Sequence, residues 1–252
     1  MKKTKIIIPA LGILLLSTAA SVTGTVAWFS MNADVKAQGM QVKALAEQGI
    51  VISNAANGTY SYAASSTKDG TTAELLPAST ADLETWWHAK SNNPASATGI
   101  ADSFDDISSN LDDYVVTHDF YIRSSAAEAL SVTSLNVKDV LLTGTPAQDL
   151  SKALRVGVSF AGSTLTPAII YAPVTGFTAS YTVHNETAAT APVAGSVLAA
   201  DNTIKTIPAS TANGLHATVF IWFEGEDASC ISNNIKATLE QLSVVVDFSY
   251  TA

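Results

Sequence analysis

The chain has 252 residues, with 13 basic against 22 acidic side chains, a formal net charge of −9 and a single cysteine. That balance excludes a nucleic-acid surface, which needs concentrated positive charge. One cysteine excludes any disulfide within the chain, so the fold depends on its core.

Taken in chain order, residues 1–27 read as an export signal. Lys2, Lys3 and Lys5 precede an uncharged run over 6–27 that ends in Gly24-Thr25-Val26-Ala27-Trp28-Phe29. A basic tip, an apolar stretch and small residues at Thr25 and Ala27 are what a signal peptidase reads, which places cleavage between Ala27 and Trp28. The run is also long enough, at about twenty residues, to stay in place as a membrane anchor. Thr18, Ser21, Thr23 and two glycines make it a poor permanent span. Its removal takes three of the 13 basic residues and none of the 22 acidic ones, so the mature chain is more acidic still.

Residues 28–38 follow, with no turn tying them back to the first strand. Beyond them the sequence is rich in Thr, Ser, Val, Ala and Gly and poor in Leu, Glu and Lys, which suits strands joined by polar turns. Met40, Val42, Ala44 and Ala46 alternate onto one face, and Glu47-Gln48-Gly49 leads into Ile50-Val51-Ile52. That pattern predicts a hairpin. Further strands are predicted over 59–63, 114–123, 130–142, 154–160, 178–184, 217–224 and 239–250. Short helices are expected over 82–90 and 149–153, started by Asp82 and Asp149. Residues 91–113 read as a long polar loop holding one helical turn, and 185–202 as a second loose stretch. No fixed-period repeat occurs. The expected fold is a single all-β domain over 39–252, a jelly-roll-like β-sandwich with long loops and one or two short helices.

Signals for catalysis are weak, and no catalytic residue and no enzyme is expected. His88, His118, His184 and His216 are far apart, and none pairs at the spacing of a helical zinc site. No nucleophile elbow and no phosphate-cradling Gly-Lys loop occurs. Cys230 reads as a small buried apolar residue. Asp102, Asp105, Asp106, Asp112, Asp113 and Asp119 fall in a stretch with no Lys or Arg between Lys90 and Arg123. Oxygen ligands of this kind suit Ca2+, but the spacing matches no calcium loop and a solvated surface is the simpler reading. Glu224, Glu226 and Asp227 form a second group, read first as a turn held by side-chain oxygens, then as a cation site or a solvent-facing loop. Trp86 and Trp87 offer a stacking platform for sugars or proteins, though adjacent indoles commonly send one ring inward. Asn57-Gly58-Thr59 and Asn185-Glu186-Thr187 match the N-glycan acceptor pattern.

The stretch Gly24-Thr25-Val26-Ala27-Trp28-Phe29-Ser30, followed by Val35, Ala37, Gly39-Met40 and Val42-Lys43-Ala44, resembles the start of secreted proteins of the TasA and camelysin family of Gram-positive bacteria. The resemblance covers residues 1–46 and is architectural beyond them. It implies release by a dedicated signal peptidase and a jelly-roll subunit whose freed N-terminal segment inserts as a strand into the next copy, building extracellular biofilm-matrix fibres. Trp28 and Phe29, then Met31, Val35 and Ala37, are the candidate anchors of such a donor strand, whose backbone would supply adhesion and whose alternating side chains would supply register. Ser30, Asn32, Asp34, Lys36 and Gln38 leave it only one apolar face. The family's reported protease activity finds no metal-ligand motif here. The expected partner is therefore a second copy, with matrix polysaccharide or accessory proteins beside it and contact with membrane only through an uncleaved leader. The alternative is a monomeric cell-surface adhesin or carbohydrate-binding module that uses Trp86, Trp87 and the acidic loop.

Overall fold

The computed structural model describes residues 40–67, 75–89, 104–143, 152–165, 169–173, 180–183, 186–192, 199–225, 227, 230 and 243–252. The leader and segment 28–38, with Ala27, Trp28, Phe29, Met31, Val35 and Ala37, lie outside these residues, as do Asp102, Asp149, His184, Asn185 and Glu226.

The strands in chain order are β1 (Gln41–Ala46), β2 (Ile50–Ser53), β3 (Ala63–Thr67), β4 (Trp87–Ala89), β5 (Phe104–Asp106), β6 (Val115–Ser124), β7 (Leu130–Ser131) and β8 (Ser134–Thr143). They continue with β9 (Leu154–Phe160), β10 (Ile169–Ala172), β11 (Ser180–Val183), β12 (Glu186–Pro192), β13 (Ala199–Asp201), β14 (Thr206–Ile207), β15 (Leu215–Phe223) and β16 (Ser243–Thr251). Hydrogen bonding sorts them into a five-stranded sheet, β13-β8-β16-β1-β3, and a seven-stranded sheet, β11-β12-β10-β9-β15-β6-β2. Two small pairs, β14 with β7 and β4 with β5, lie beside them. Pairing is antiparallel except between β1 and β16 and between β10 and β12.

The two large sheets pack face to face as an all-β sandwich. Period-two alternation is the cause: Met40, Val42 and Ala44, then Leu135, Val137 and Val140, then Val244, Val246 and Phe248 turn inward from the five-stranded sheet. Phe120 and Ile122, Val156, Val158 and Phe160, and Val219, Ile221 and Phe223 answer from the other. Phe160 meets Phe248 edge-on across the interface, ring centres 5.9 Å apart. Each fully buried side chain of this size contributes about 1.5–3 kcal/mol, so this layer dominates stability.

A second, smaller core lies on the outer face of the seven-stranded sheet. Ala78, Leu83, Trp86 and Ile107 from the connecting segments cover Val115, Ile170 and Trp222 of the strands. Trp86 stands edge-on to Trp222 at 5.1 Å and 90°, and tilts against Phe220 at 5.9 Å. The seven-stranded sheet is thus apolar on both faces at one end.

Several expectations are corrected. β1 and β2 are not a hairpin: β1 pairs with β16 and β3, whereas β2 pairs with β6, so residues 47–49 carry the chain from one sheet to the other. Gly49, at φ 104, supplies the turn that either arrangement needs, and long-range pairing decides between them. No helix forms over the described part of 82–90. Asp82 Oδ1 does accept the backbone N–H groups of Glu84 and Thr85 at 2.8 and 2.7 Å, but Leu83 sits at φ 63, which ends helical winding, and β4 begins at Trp87. The stretch 185–202 holds two strands, β12 and β13. Within the acidic loop the expected helical turn is a 3-10 turn at Leu111–Asp113. The strand expected over 130–142 is two, β7 and β8, separated at residues 132–133.

Candidate functional site

The edges of a β-sandwich are candidate sites of function, because a strand with one partner leaves backbone N–H and C=O groups to be satisfied. β16 pairs with β8 along its length, from Ser134 to Thr143, while β13 pairs only with Leu135, Asn136 and Val137. Among the described residues, positions 139–143 of β8 therefore have a strand neighbour on one side only. Val140 is fully buried there and Leu142 packs against the main core, whereas Leu141 is 49% exposed. An added strand would find the in–out alternation already laid down.

The opposite edge of the same sheet is blunted. β3 is short and built from Ala, Ser and Thr, and Asn54 Nδ2 donates to its Ser65 carbonyl at 2.8 Å, occupying an outward-facing acceptor. The β2 edge is covered by a bridge between Ile52 and Ser61.

The two described acids after β15, Glu224 and Asp227, have structural roles. Glu224 and Asp227 are buried, and neither faces solvent. Glu224 accepts hydrogen bonds from the Ser79 hydroxyl and from Trp222 Nε1, the latter at 3.1 Å, so it fastens the covering segment to the strand beneath. Asp227 Oδ2 meets Arg155 Nη2 at 2.6 Å, with both side chains at most 1% exposed. Arg155 Nη1 donates to the carbonyls of Lys152 and Leu154. Arg155 projects to the outer face of β9 because its neighbours Leu154 and Val156 point to the main core. The two carboxylates thus tie the segment after β15 to distant parts of the chain, and nothing in the local sequence signalled Arg155 as the counter-ion.

Trp86 is 3% exposed and spent on the second core, so of the two indoles only the half-buried Trp87 reaches the surface. The described histidines stay apart. His88 tilts against Tyr114, buried His118 contacts the Ser66 hydroxyl at 3.0 Å, and His216 lies on the outer face against Tyr121 with Nε2 2.8 Å from Asp119 Oδ1. Thr218 Oγ1 approaches that same Nε2 at 3.5 Å, so one ring nitrogen faces both the carboxylate and the hydroxyl. A relay needs them on opposite nitrogens. Beside this group, Arg123 lies over the Tyr60 ring at 3.5 Å. Among the described residues no group of three or more His, Cys, Asp or Glu is arranged to hold a metal ion. Cys230 is buried, as expected of a small apolar side chain.

Comparison with known proteins returns nothing: no family model, no curated protein and no solved structure matches the chain.

Proposed function

We propose that the chain is a secreted structural subunit that polymerises head to tail, its N-terminal segment 28–38 adding a strand to the sheet of the next copy. The observation that carries this reading is that, among the described residues, positions 139–143 of β8 have a strand neighbour on one side only. A second geometric fact supports it. Gln41 stands in register with Ser243, and Ser243 with Thr143, so the chain comes into β1 at the end of the sheet where that stretch finishes. Two strand spacings, about 10 Å, separate them. An extended segment carrying Trp28, Phe29, Met31, Val35 and Ala37 has the alternation to complete such an edge. An exchange in one direction leaves an open edge at each end of the growing assembly and so propagates. The glycan-binding alternative would have to rely on Trp87 and the acidic loop, since Trp86 is buried.

The test is a chain lacking residues 28–38, compared with one that begins at Trp28. The shorter protein is expected to remain a folded monomer and the longer one to form fibres. A synthetic peptide of residues 28–38, added to the shorter protein, should slow amide hydrogen exchange at residues 139–143. Fibres of unchanged abundance by electron microscopy from the shorter chain, or a closed dimer by light scattering from the longer one, overturn the reading.

A further inference from the structure

The join between β8 and β16 holds a pair of like charges that the filament reading does not use. Asp139 on β8 lies directly opposite Asp247 on β16, and the register shifts immediately beyond, between Asp247 and Phe248. The shift leaves Lys138 as the extra residue of a bulge: Val137 and Val140 are both buried, and Lys138 and Asp139 both turn away from the core. Residues directly opposite on one face of a sheet hold their Cβ atoms about 5 Å apart, so the two carboxyl groups are within reach of each other.

Lys138 offsets them in part, acting on Asp247 more strongly than Asp139 does. Leu45 stands opposite Asp247 on the β1 side, and the next row along the face is Lys43, Val245 and Leu141. Burial raises Asp247 above the ordinary aspartate range; Lys138 opposes that rise, while Asp139 and Glu47 add to it. Asp139 Oδ1 is buried and makes no hydrogen bond. An acceptor with no donor therefore faces a carboxyl group that resists losing its proton.

We propose that Asp139 and Asp247 share one proton in the folded protein, Asp247 donating its hydroxyl to Asp139 Oδ1, so that mild acid strengthens the join between β8 and β16. The proton comes from solvent and no other bond changes. In the unfolded chain both groups titrate as ordinary aspartates, so folding takes up a proton. The stabilisation is full below the ordinary aspartate range and is lost as pH rises through the raised value of Asp247. Near neutrality two like charges remain face to face, which weakens the pairing.

Acid acts on other carboxylates too, so the readout is a difference between variants of the full mature chain. Asp247→Asn can donate a hydrogen bond to Asp139 at any pH. It is expected to melt about 1–3 °C above the parent near neutral pH, with the gap closing as pH falls through the raised value of Asp247. Asp139→Asn should do the same and serves as the second variant. Carboxyl-carbon NMR should show Asp247 titrating above an ordinary aspartate. Parallel melting profiles for parent and both variants, or an Asp247 signal that titrates at or below the ordinary aspartate value, would overturn the proposal. These measurements read subunit stability, so their outcome is separate from whether fibres form.

Discussion

Arg155 and Asp227 are 72 positions apart in sequence and meet where almost no water reaches them. Burying two charges costs several kcal/mol each before their attraction and hydrogen bonds offset it, so the pair is more damaging to break than it is stabilising to have. Asp227→Ala should lower unfolding free energy by about 3–5 kcal/mol, because the guanidinium keeps its burial and loses its carboxylate. Replacing both residues together, Arg155→Met with Asp227→Leu, should recover most of that loss. Urea denaturation of the parent, the single and the double variant measures the difference. A double variant no better than the single would mean that the hydrogen bonds of Arg155 to the Lys152 and Leu154 carbonyls matter more than the charge pair.

The segment carrying Leu83 and Trp86 shows how one covering element is held to a sheet. Leu83 adopts φ 63, a backbone region costly for a residue with a Cβ, and a Cβ placed on Gly157 of β9 would come within 2.5 Å of Leu83 Cδ2. Leu83 thus fills a notch that only glycine leaves open. Gly157→Ala should destabilise the protein by about 1–3 kcal/mol through overpacking, and Leu83→Ala should relieve that specific cost. A double-mutant cycle in thermal unfolding measures the coupling, and additive effects would show that the notch is unimportant. This kind of contact was invisible in the sequence, where Asp82 signalled a helix start. The local signal was right, since Asp82 does cap two N–H groups, but burial of Trp86 against Trp222 and of Leu83 against Gly157 outweighed helical winding. Strands with strong alternation, β6, β9 and β15, were legible almost to the residue. β10 was too short to register, and β12, built from Glu, Thr, Ala and Pro, has no apolar alternation to read. That β8 has, among the described residues, a strand neighbour on one side only over 139–143 was not legible either, because pairing at an edge is set by distant strands and not by its own residues. Glu224 and Asp227 looked like surface acids because the groups that bury them, Ser79 and Arg155, are distant in sequence.

At the scale of the molecule, the last strand joins what would otherwise be two fragments of one sheet. β16 lies between β8 and β1, pairing with nine residues of the former and six of the latter. Without it the order β13-β8-β16-β1-β3 breaks into two strand pairs, each too small to be stable alone. Val244, Val246 and Phe248 would also leave the core, removing about 1.5–3 kcal/mol apiece from a total stability of roughly 5–15 kcal/mol. Deleting residues 243–252 should therefore abolish cooperative unfolding altogether. The same topology pairs β1 with β16, about 200 residues further on, so the five-stranded sheet cannot close until β16 is available, and such non-local pairing folds in milliseconds to seconds. The expected result is a truncated chain with no cooperative melting transition by circular dichroism and collapsed amide dispersion by NMR. Retention of a sharp transition in that chain would mean that β8 and β1 can pair directly, and that the seven-stranded sheet with its second core suffices to hold the fold.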